Sequence, residues 1–385
     1  MSTIMISCGE PSGDLYAGAL ATEIRRLDPG AHVFGFGGER LREAGADLVG
    51  EYPGLTVTGL VEALRVIPRS LDMYRRLVRA ARDRRPDVLV AIDFPDFNFR
   101  LAGAIRRLGI PVVYYVPPQL WAWRRGRVRT IRRLVERAIV IFPFEEQLYR
   151  EAGVPVDFVG HPLLDLARAE EPRAQFLSRL GLRPESSTVA LLPGSRPNEL
   201  ARIVPVLAKA ASLVAARLAD AQFVVARAPN LDAALFSPFD VGAGFPLAMV
   251  ESRADDVLAA ADVVITASGT ATVQAAIHLC PMVVVYRLAP LTYRLGHRFV
   301  HVDTFGMVNL VAGRKIVPEL IQDDFTPEAV AGEALRLLTD REQAEATRAE
   351  LSRVVSALGA PGASRRAAEI VLRVAQRERP EPNRL

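Results

Sequence analysis

The chain has 385 residues, of which 50% are hydrophobic and 24% are charged, and its formal net charge is +4 at pH 7. This length exceeds the size at which a single hydrophobic core usually stops growing, so the sequence predicts two domains. The small net charge argues against a polybasic nucleic-acid-binding protein, and no uncharged apolar run reaches the roughly 20 residues that a membrane-spanning helix needs.

The N-terminal stretch lacks the features of a secretory signal, because it has no cationic start and reaches Glu10 within its first residues. The two cysteines, Cys8 and Cys280, lie in different halves of the chain, each at the edge of an apolar run. This arrangement does not form a disulfide framework, so we expect buried, reduced thiols in a cytoplasmic protein. Any membrane contact is therefore expected to be peripheral.

The first half repeats a strand, a loop and a helix. Continuously apolar strands that alternate with helical segments predict a parallel sheet covered on both faces, the doubly wound arrangement. In such sheets ligands bind outside the carboxyl ends of the strands. The predicted strands are Thr3 to Cys8, His32 to Phe36, Val88 to Ile92, Val112 to Val116 and Ala138 to Phe142.

Polar residues follow the carboxyl ends of these strands: Glu10, Ser12, Asp14, Asp93, Asp96 and Asn98. The loop Asp93-Phe-Pro-Asp-Phe-Asn98 combines two carboxylates with aromatic neighbours. We expect Phe94, Phe97 and Phe99 to exclude water there, which raises the pKa of a carboxylate towards that of a useful general base. The alternative is a turn whose acids hydrogen-bond to the backbone.

Two arginine-rich segments, Arg65 to Arg85 and Arg124 to Arg137, predict a basic face that meets phosphate or an anionic membrane surface. A solvated helix face is the alternative. Trp121 and Trp123 are interpreted as packing residues, with a wall for an acyl or sugar ligand as the alternative.

The first set of strands ends near Val159-Gly-His-Pro-Leu163. We place one domain at residues 1–168, a second at 169–345, and C-terminal helices that can pack back on the first domain at 346–385. His161 is a second candidate base, but its position between Gly160 and Pro162 at a domain join favours a structural role.

The second half follows the same order, with strands at Val189 to Leu192, Gln222 to Ala226, Asp262 to Ala267 and Met282 to Tyr286. After its first strand, Gly194 permits a tight turn and Pro197 suits the first helical position. Glu199 then falls in the first turn of the helix. Free amide hydrogens at the helix start and the forked guanidinium of Arg196 favour a diphosphate site. An ordinary connection with a solvated arginine is the alternative.

A second anion-binding turn follows the third of these strands. Ser268 and Thr270 can donate to phosphate at a new helix start, and Gln274 lies one turn further on, where it can reach a sugar hydroxyl. Two such turns in one domain fit a nucleotide diphosphate. The sequence has neither a dinucleotide-binding glycine fingerprint nor a phosphate-loop motif, and no cysteine or histidine pair at zinc spacing, so we expect no metal.

Eight motifs together resemble those of the lipid-A-disaccharide synthase family, over about residues 3 to 335. They are Gly9-Glu-Pro-Ser-Gly-Asp14, Ile92-Asp-Phe-Pro-Asp-Phe-Asn98, Trp121-Ala-Trp-Arg124, Gly160-His-Pro-Leu163, Leu191-Leu-Pro-Gly-Ser-Arg196, Ser268-Gly-Thr-Ala271, Cys280-Pro-Met282 and Asn309-Leu-Val-Ala-Gly313.

The resemblance implies a GT-B glycosyltransferase: an α/β protein with two Rossmann-like doubly wound parallel-sheet domains that face each other across a cleft. It implies transfer of 2,3-diacylglucosamine from UDP-2,3-diacylglucosamine to 2,3-diacylglucosamine 1-phosphate (lipid X), with inversion, to give the β-1,6 disaccharide of lipid A and UDP. It also implies an enzyme without metal or cofactor, peripheral on the cytoplasmic face of the inner membrane, that dimerises through its C-terminal parts.

The resemblance also assigns residues to roles, with Asp96 as the base for the acceptor hydroxyl. The acceptor side is assigned to Glu10, Ser12, Gly13, Asp14 and Asn98. The UDP-sugar side is assigned to Gly194, Ser195, Arg196, Glu199, Ser268, Gly269, Thr270, Gln274 and Asn309.

Three positions depart from the family pattern. Gln274 stands where a glutamate is usual, Pro117 where a serine is usual and Val308 where a proline is usual. Together these departures leave open a weaker grip on UDP or a divergent paralogue with a different donor. Two alternative functions also remain open: another UDP-sugar transferase or epimerase of the GT-B type, or a non-catalytic paralogue that binds a nucleotide sugar or a lipid.

Overall fold

The computed structural model describes residues 1–52, 60–118, 128–229, 231–240, 244–287 and 304–376, and gives the backbone but not the side chains of residues 60–66. Trp121, Trp123 and the first part of the second arginine-rich segment lie outside the described residues. The chain forms two compact units, one made of Met1–Pro162 and the segment from Gly359 onward, the other of Leu163–Leu358.

The first unit is built on a seven-stranded parallel sheet of order β3-β2-β1-β4-β5-β6-β7. Its strands are β1 Thr3–Cys8, β2 His32–Gly37, β3 Asp47–Glu51, β4 Val88–Ile92, β5 Val112–Tyr115, β6 Arg137–Val140 and β7 Val156–Phe158. Its helices are α1 Pro11–Leu27, α2 Glu39–Glu43, α3 Leu60–Arg84, α4 Pro95–Arg107, α5 Val128–Leu134 and α6 Pro143–Glu151, and α15 Ala363–Ala375 joins them from the C-terminal end.

The second unit is built on a six-stranded parallel sheet of order β10-β9-β8-β11-β12-β13. Its strands are β8 Thr188–Leu192, β9 Gln222–Arg227, β10 Leu247–Glu251, β11 Val263–Ala267, β12 Met282–Tyr286 and β13 Glu319–Ile321. Its helices are α7 Leu163–Leu166, α8 Arg173–Arg179, α9 Pro197–Arg217, α10 Ala254–Ala260, α11 Thr270–Ile277, α12 Met307–Ala312, α13 Pro327–Thr339 and α14 Arg341–Ala357, with 3-10 helices at Ala233–Phe239 and Gln322–Asp324.

The central strands are buried on both faces, which explains their continuous apolar character. All five residues of β4 and of β8 are buried. The helices present one apolar stripe each: α9, for example, buries Leu200, Ile203, Val204 and Leu207, at the spacing of one helix face. The predicted doubly wound parallel sheets are confirmed in both units.

The last helix, α15, packs on α1 and reaches β4 and β5. The Arg366 guanidinium donates from Nε and Nη2 to the Val159 carbonyl oxygen, over 2.9 and 2.6 Å. The sequence places the domain joins after residues 168 and 345, whereas the contacts divide the chain after 162 and 358. The second difference arises because α14 packs on α11 and α12 of the second unit.

In each sheet the strand order reverses at one point, between β1 and β4 in the first unit and between β8 and β11 in the second. Loops on opposite sides of this point diverge and leave a crevice at the carboxyl ends of the strands. Within the described residues, no helix has both the length and the apolar character needed to cross a membrane.

Candidate active site

The loops after β1 and β4 meet at the point where the first sheet reverses. Ser7 Oγ donates to Asn98 Oδ1 over 2.7 Å, and Asn98 Nδ2 lies 3.2 Å from the Ser7 and Ile92 carbonyl oxygens and 2.8 Å from that of Asp93. Asn98 is completely buried. Its amide therefore holds the two strand ends together, which is a positioning role, whereas the family resemblance assigns Asn98 to acceptor binding.

Asp14 is also directed into the protein, with 3% of its surface exposed. Its Oδ1 accepts hydrogen bonds from the backbone amides of Gly38 and Leu41, at 2.7 and 3.3 Å, and Oδ2 accepts one from Arg40 at 3.0 Å. A carboxylate at this place satisfies the free amides at the start of α2. Asp14 thus fixes the turn after β2 against α1. Gly13 is buried beside Cys8, and Glu10 and Ser12 lie half-buried at the start of α1.

The loop after β4 has a strained backbone, since Asp93 and Phe94 have φ angles of +44° and +48°. The Phe94 ring fills the space beside Gly9, where a Cβ would lie 2.3 Å from the ring. The Tyr114 hydroxyl donates to the Asp93 carbonyl oxygen over 2.8 Å. These contacts place the first turn of α4, and with it Asp96, beside the loop that follows β1.

The aromatic residues of this loop do not enclose Asp96, which is exposed. Phe97 packs inward against Phe36, with ring centroids 5.5 Å apart, and Phe99 packs against Tyr114 at 5.7 Å. The phenylalanines therefore do not exclude water around Asp96, because Phe97 and Phe99 pack in the core and Asp96 is exposed.

His161 is almost completely buried, with 1% of its surface exposed. Its ring lies 5.2 Å from that of Phe142 and 6.0 Å from that of Tyr16. Burial lowers the pKa of His161 from 6.5 to about 3, so the ring is neutral at physiological pH. The position supports the structural interpretation of His161 over that of a base exposed to a substrate.

In the second unit, the turn after β8 leads directly into α9. Gly194 has a φ of +112°, and a Cβ there would lie 3.3 Å from Glu199 Oε2 and 3.6 Å from the Ala267 Cβ. Arg196 is the residue before the helix, and its Nη1 donates to Glu199 Oε1 over 3.1 Å. The Arg196 side chain is 40% exposed and that of Glu199 14%. Ser195 is exposed on the same turn.

The turn after β11 leads into α11 in the same way. Gly269 has a φ of +146° and open space where a Cβ would be, and the helix begins at Thr270. Ser268 Oγ donates to the Phe305 carbonyl oxygen over 3.0 Å. Because β8 and β11 are neighbouring parallel strands, both helix starts lie at the carboxyl end of the sheet. Two sets of helix-start amides and one arginine at the carboxyl end of the sheet favour a bound anion.

Two further residues assigned to the UDP-sugar side are tied to the protein. Gln274 Nε2 lies 3.3 Å from both carboxylate oxygens of Asp255, which also has His278 Nε2 at 3.0 Å. Asn309 is completely buried: Nδ2 donates to the Val317 carbonyl oxygen and to Glu319 Oε1, and Oδ1 accepts from the amides of Ile316 and Val317.

Glu319 organises the segment around Asn309. Its Oε2 accepts from the Phe305 amide at 2.9 Å, and its Oε1 accepts from the Gly306 amide at 2.8 Å and from Asn309 at 2.7 Å. No local motif marks three further residues that contact the site residues from other elements: Glu319, Asp255 and Tyr286. Within the described ranges, no three histidine, cysteine, aspartate or glutamate side chains come together as a metal-binding group.

Comparison with known proteins identifies the family. A family model described as lipid-A-disaccharide synthetase matches residues 4–374. The chain belongs to this family. The predicted family, and with it the class of enzyme, is thereby confirmed.

Relatives in the family match over nearly their whole length. The lipid-A-disaccharide synthase of Anaeromyxobacter dehalogenans (strain 2CP-C) is 46% identical over 372 residues, which cover 96% of this chain and 97% of the relative. That of Geobacter sulfurreducens is 44% identical over 372 residues, with 96% of each chain covered. The similarity therefore includes both units and the return of the chain to the first unit.

Solved structures with low sequence identity share the fold. The UDP-GlcNAc 2-epimerase of Neisseria meningitidis, bound to UDP-GlcNAc, gives a TM-score of 0.69 at 13% identity and covers 97% of this chain and 100% of its own. A calicheamicin glycosyltransferase gives 0.62 at 18% identity, with 99% and 100% covered. These likenesses confirm the predicted GT-B fold class of two parallel-sheet α/β domains.

Proposed function

We propose that the chain transfers 2,3-diacylglucosamine from UDP-2,3-diacylglucosamine to the 6-hydroxyl of 2,3-diacylglucosamine 1-phosphate (lipid X). The new bond joins the acceptor oxygen to C1 of the donor sugar, and the bond from C1 to the diphosphate breaks. The electron pair of that bond leaves with UDP, and the acceptor proton passes to a carboxylate. The products are the β-1,6 disaccharide 1-phosphate and UDP.

The observation that carries this proposal is that two helices begin side by side at the carboxyl end of the second sheet. UDP leaves with additional negative charge, so a site for it has to offer positive charge or oriented amides. The turns at Gly194 to Arg196 and at Ser268 to Thr270 offer both, and family membership supplies the identity of the nucleotide sugar. Glu199 and Gln274 belong to this proposed UDP-sugar side, and Asn309 supports it from beneath.

The acceptor side of the proposal lies in the first unit, with Asp96 as the base. Its carboxylate is exposed in the first turn of α4, where the helix end favours negative charge. Glu10, Ser12 and Gly13 line the neighbouring start of α1, and Asp14 and Asn98 hold the loops in place. A carboxylate that accepts the hydroxyl proton as the bond to C1 forms acts as a general base.

A peripheral contact with an anionic membrane surface, on the cytoplasmic face of the inner membrane, is a further part of the proposal. On α3, Ile67 and Leu71 are four residues apart and are 47% and 42% exposed. Arginines accompany them along the same helix. Apolar side chains beside cations favour the interface of an anionic bilayer. Cosedimentation with phosphatidylglycerol vesicles at rising salt tests the contact, and absence of binding at every salt concentration contradicts it.

We also propose that the chain forms a homodimer through its C-terminal parts, as the family resemblance implies. Light scattering of the purified chain over a tenfold range of concentration tests this part by itself. A monomer mass at every concentration removes the dimer from the proposal and leaves the reaction untouched.

The product identifies the reaction. Mass spectrometry of the mixture formed from UDP-2,3-diacylglucosamine and the monosaccharide phosphate is expected to show the tetra-acylated disaccharide phosphate. The same incubation with unacylated UDP-N-acetylglucosamine is the control for another UDP-sugar enzyme of this fold. Turnover of the unacylated sugar alone contradicts the proposal.

A further inference from the structure

Tyr286 is the last residue of β12, and its hydroxyl meets the first turn of α9. It donates to Glu199 Oε1 over 3.1 Å. Arg196 Nη1 donates to the same oxygen over 3.1 Å. One carboxylate oxygen of α9 therefore accepts two donors, a tyrosine hydroxyl from the end of β12 and a guanidinium from the residue before α9.

We propose that Tyr286 is a positioning residue that acts through Glu199 to hold the Arg196 guanidinium at the proposed diphosphate site. This inference rests on the proposed function of that site. It assigns Tyr286 no contact with the substrate, and in it Glu199 supports the Arg196 side chain and does not bind the nucleotide.

The surroundings of Glu199 fit this supporting role. Its side chain is largely buried, at 14% exposed, whereas that of Arg196 is 40% exposed. Its second oxygen, Oε2, lies 3.3 Å from the place a Cβ would take on Gly194. The carboxylate thus lies beneath the turn after β8 and is directed towards Gly194 on one side and Arg196 on the other.

The tyrosine has the protonation state that this role needs. Burial, and after it the charge of Glu199, raise the pKa of the Tyr286 hydroxyl well above its usual range. The hydroxyl therefore keeps its proton and remains a donor to the carboxylate. A carboxylate that accepts two hydrogen bonds at one oxygen has less freedom to rotate, so the arginine paired with it is held as well.

A held guanidinium matters because arginine recognises phosphate through a planar fork of donors. Ordering a long side chain at the moment of binding costs affinity, and a side chain ordered beforehand avoids this cost. The inference therefore predicts a loss specific to the diphosphate when the Tyr286 hydroxyl is removed.

The test compares titrations of the full-length chain with UDP and with uridine, for the wild type, Tyr286→Phe and Glu199→Gln. We expect Tyr286→Phe to weaken UDP binding about tenfold, the scale of a hydrogen bond to a charged group, and to leave uridine binding unchanged. Glu199→Gln should show the same pattern, and the double variant should lose no more than Glu199→Gln alone. If one of the two single variants does not fold, the other still tests the support of Arg196 by itself.

The matched control is Tyr149→Phe, which removes a hydroxyl that donates to the Pro118 carbonyl oxygen in the first unit. UDP binding by this variant should equal that of the wild type. Equal UDP affinity in Tyr286→Phe and the wild type overturns the inference alone, as does an equal loss for UDP and uridine. A wild-type chain that binds no UDP overturns the proposed donor as well.

Discussion

Asp96 is the residue on which the proposed chemistry turns, and it differs from its neighbours in facing solvent. Asn98, two residues later, is completely buried and joins the ends of β1 and β4. The loop therefore combines a buried amide that fixes the backbone with an exposed carboxylate, which the proposed function assigns to the acceptor hydroxyl. Removal of the carboxylate alone should affect chemistry and not folding.

The first prediction follows from this separation. Asp96→Asn keeps the shape of the side chain but cannot accept a proton, so we expect the turnover number to fall about a hundredfold or more, the scale of a general base. UDP binding should be retained, because the proposed nucleotide site lies in the other unit. Initial rates and UDP titration measure the two effects, and Asp323→Asn, a charge change at an exposed residue outside the proposed site, is the control. An unchanged rate shows that Asp96 is not the base.

The second prediction concerns His161 and pH. Its pKa falls from 6.5 to about 3 on burial, so the folded state favours the neutral ring. The contribution to stability is complete above pH 6.5 and is lost as the pH falls towards 3, by up to about 1.4 kcal/mol per pH unit. In His161→Gln, which does not titrate, the first unit should lose less stability between pH 7 and pH 4.5 than in the wild type. Urea unfolding at the two pH values measures this difference, and equal losses contradict it.

At this scale the sequence predicts which polar residues gather at the strand ends but not where their side chains point. Asp14, Asn98 and Asn309 lie near the starts of α1, α4 and α12, and all three are buried and hydrogen-bonded to the protein. A side chain one turn from a ligand site can face the ligand or the backbone, and the choice depends on contacts with distant elements. Glu319, which holds Asn309, belongs to a different strand.

Among the elements, the turns before α9 and α11 each contain a glycine whose backbone conformation restricts the sequence. Gly194 and Gly269 both have positive φ, which favours glycine. They differ in their surroundings: the space beside Gly269 is open, whereas Gly194 is closed by Glu199 and Ala267. Substitution should therefore be costlier in the first turn.

The third prediction is that Gly194→Ala disturbs the turn without unfolding the unit. The positive φ alone costs about 1–2 kcal/mol for a residue with a Cβ, and the new Cβ also presses on Glu199 Oε2 at 3.3 Å. UDP affinity should fall, and the melting temperature should drop by only a few degrees. Calorimetric titration with UDP and a thermal melt measure both. Gly332→Ala, within α13 and with open space around it, is the control, which should bind UDP normally.

The strands show where sequence patterns succeed and where they stop. The nine strands predicted from apolar runs are all present. The four missed strands, β3, β7, β10 and β13, are the edges of the two sheets. Their residues are half-buried or exposed and include Asp47, Asp157, Glu251 and Glu319. An edge strand is covered less completely than a central one, so it tolerates polar residues and lacks the continuous apolar run that identifies the others.

At the scale of the whole molecule, the first unit is built from two segments that are far apart in the sequence. The first unit is closed by its last helix, α15, which lies more than 300 residues from α1 in sequence yet packs on it. The helix buries a face of small and branched residues, among them Ala363, Ala367, Ala368 and Val371. Small side chains allow close approach of two helices, so the sequence of α15 suits this position. The sequence predicts C-terminal helices that can pack back on the first domain, but it does not identify α1 as the contact of α15, because any apolar helix face fits this description.

The final prediction tests this assignment of α15. A chain that ends at Leu358 exposes the face of α1 that α15 covers, so we expect the first unit to lose stability while the second unit still binds UDP. In differential scanning calorimetry, UDP should raise the transition of the second unit through its binding energy, which identifies that transition. The truncation should lower only the other transition. A chain that ends at Gln376 keeps α15 and should resemble the full-length protein. If the transition of the first unit is unchanged in the shorter chain, α15 does not stabilise that unit. If the shorter chain also loses UDP binding, the effect of α15 is not confined to the first unit.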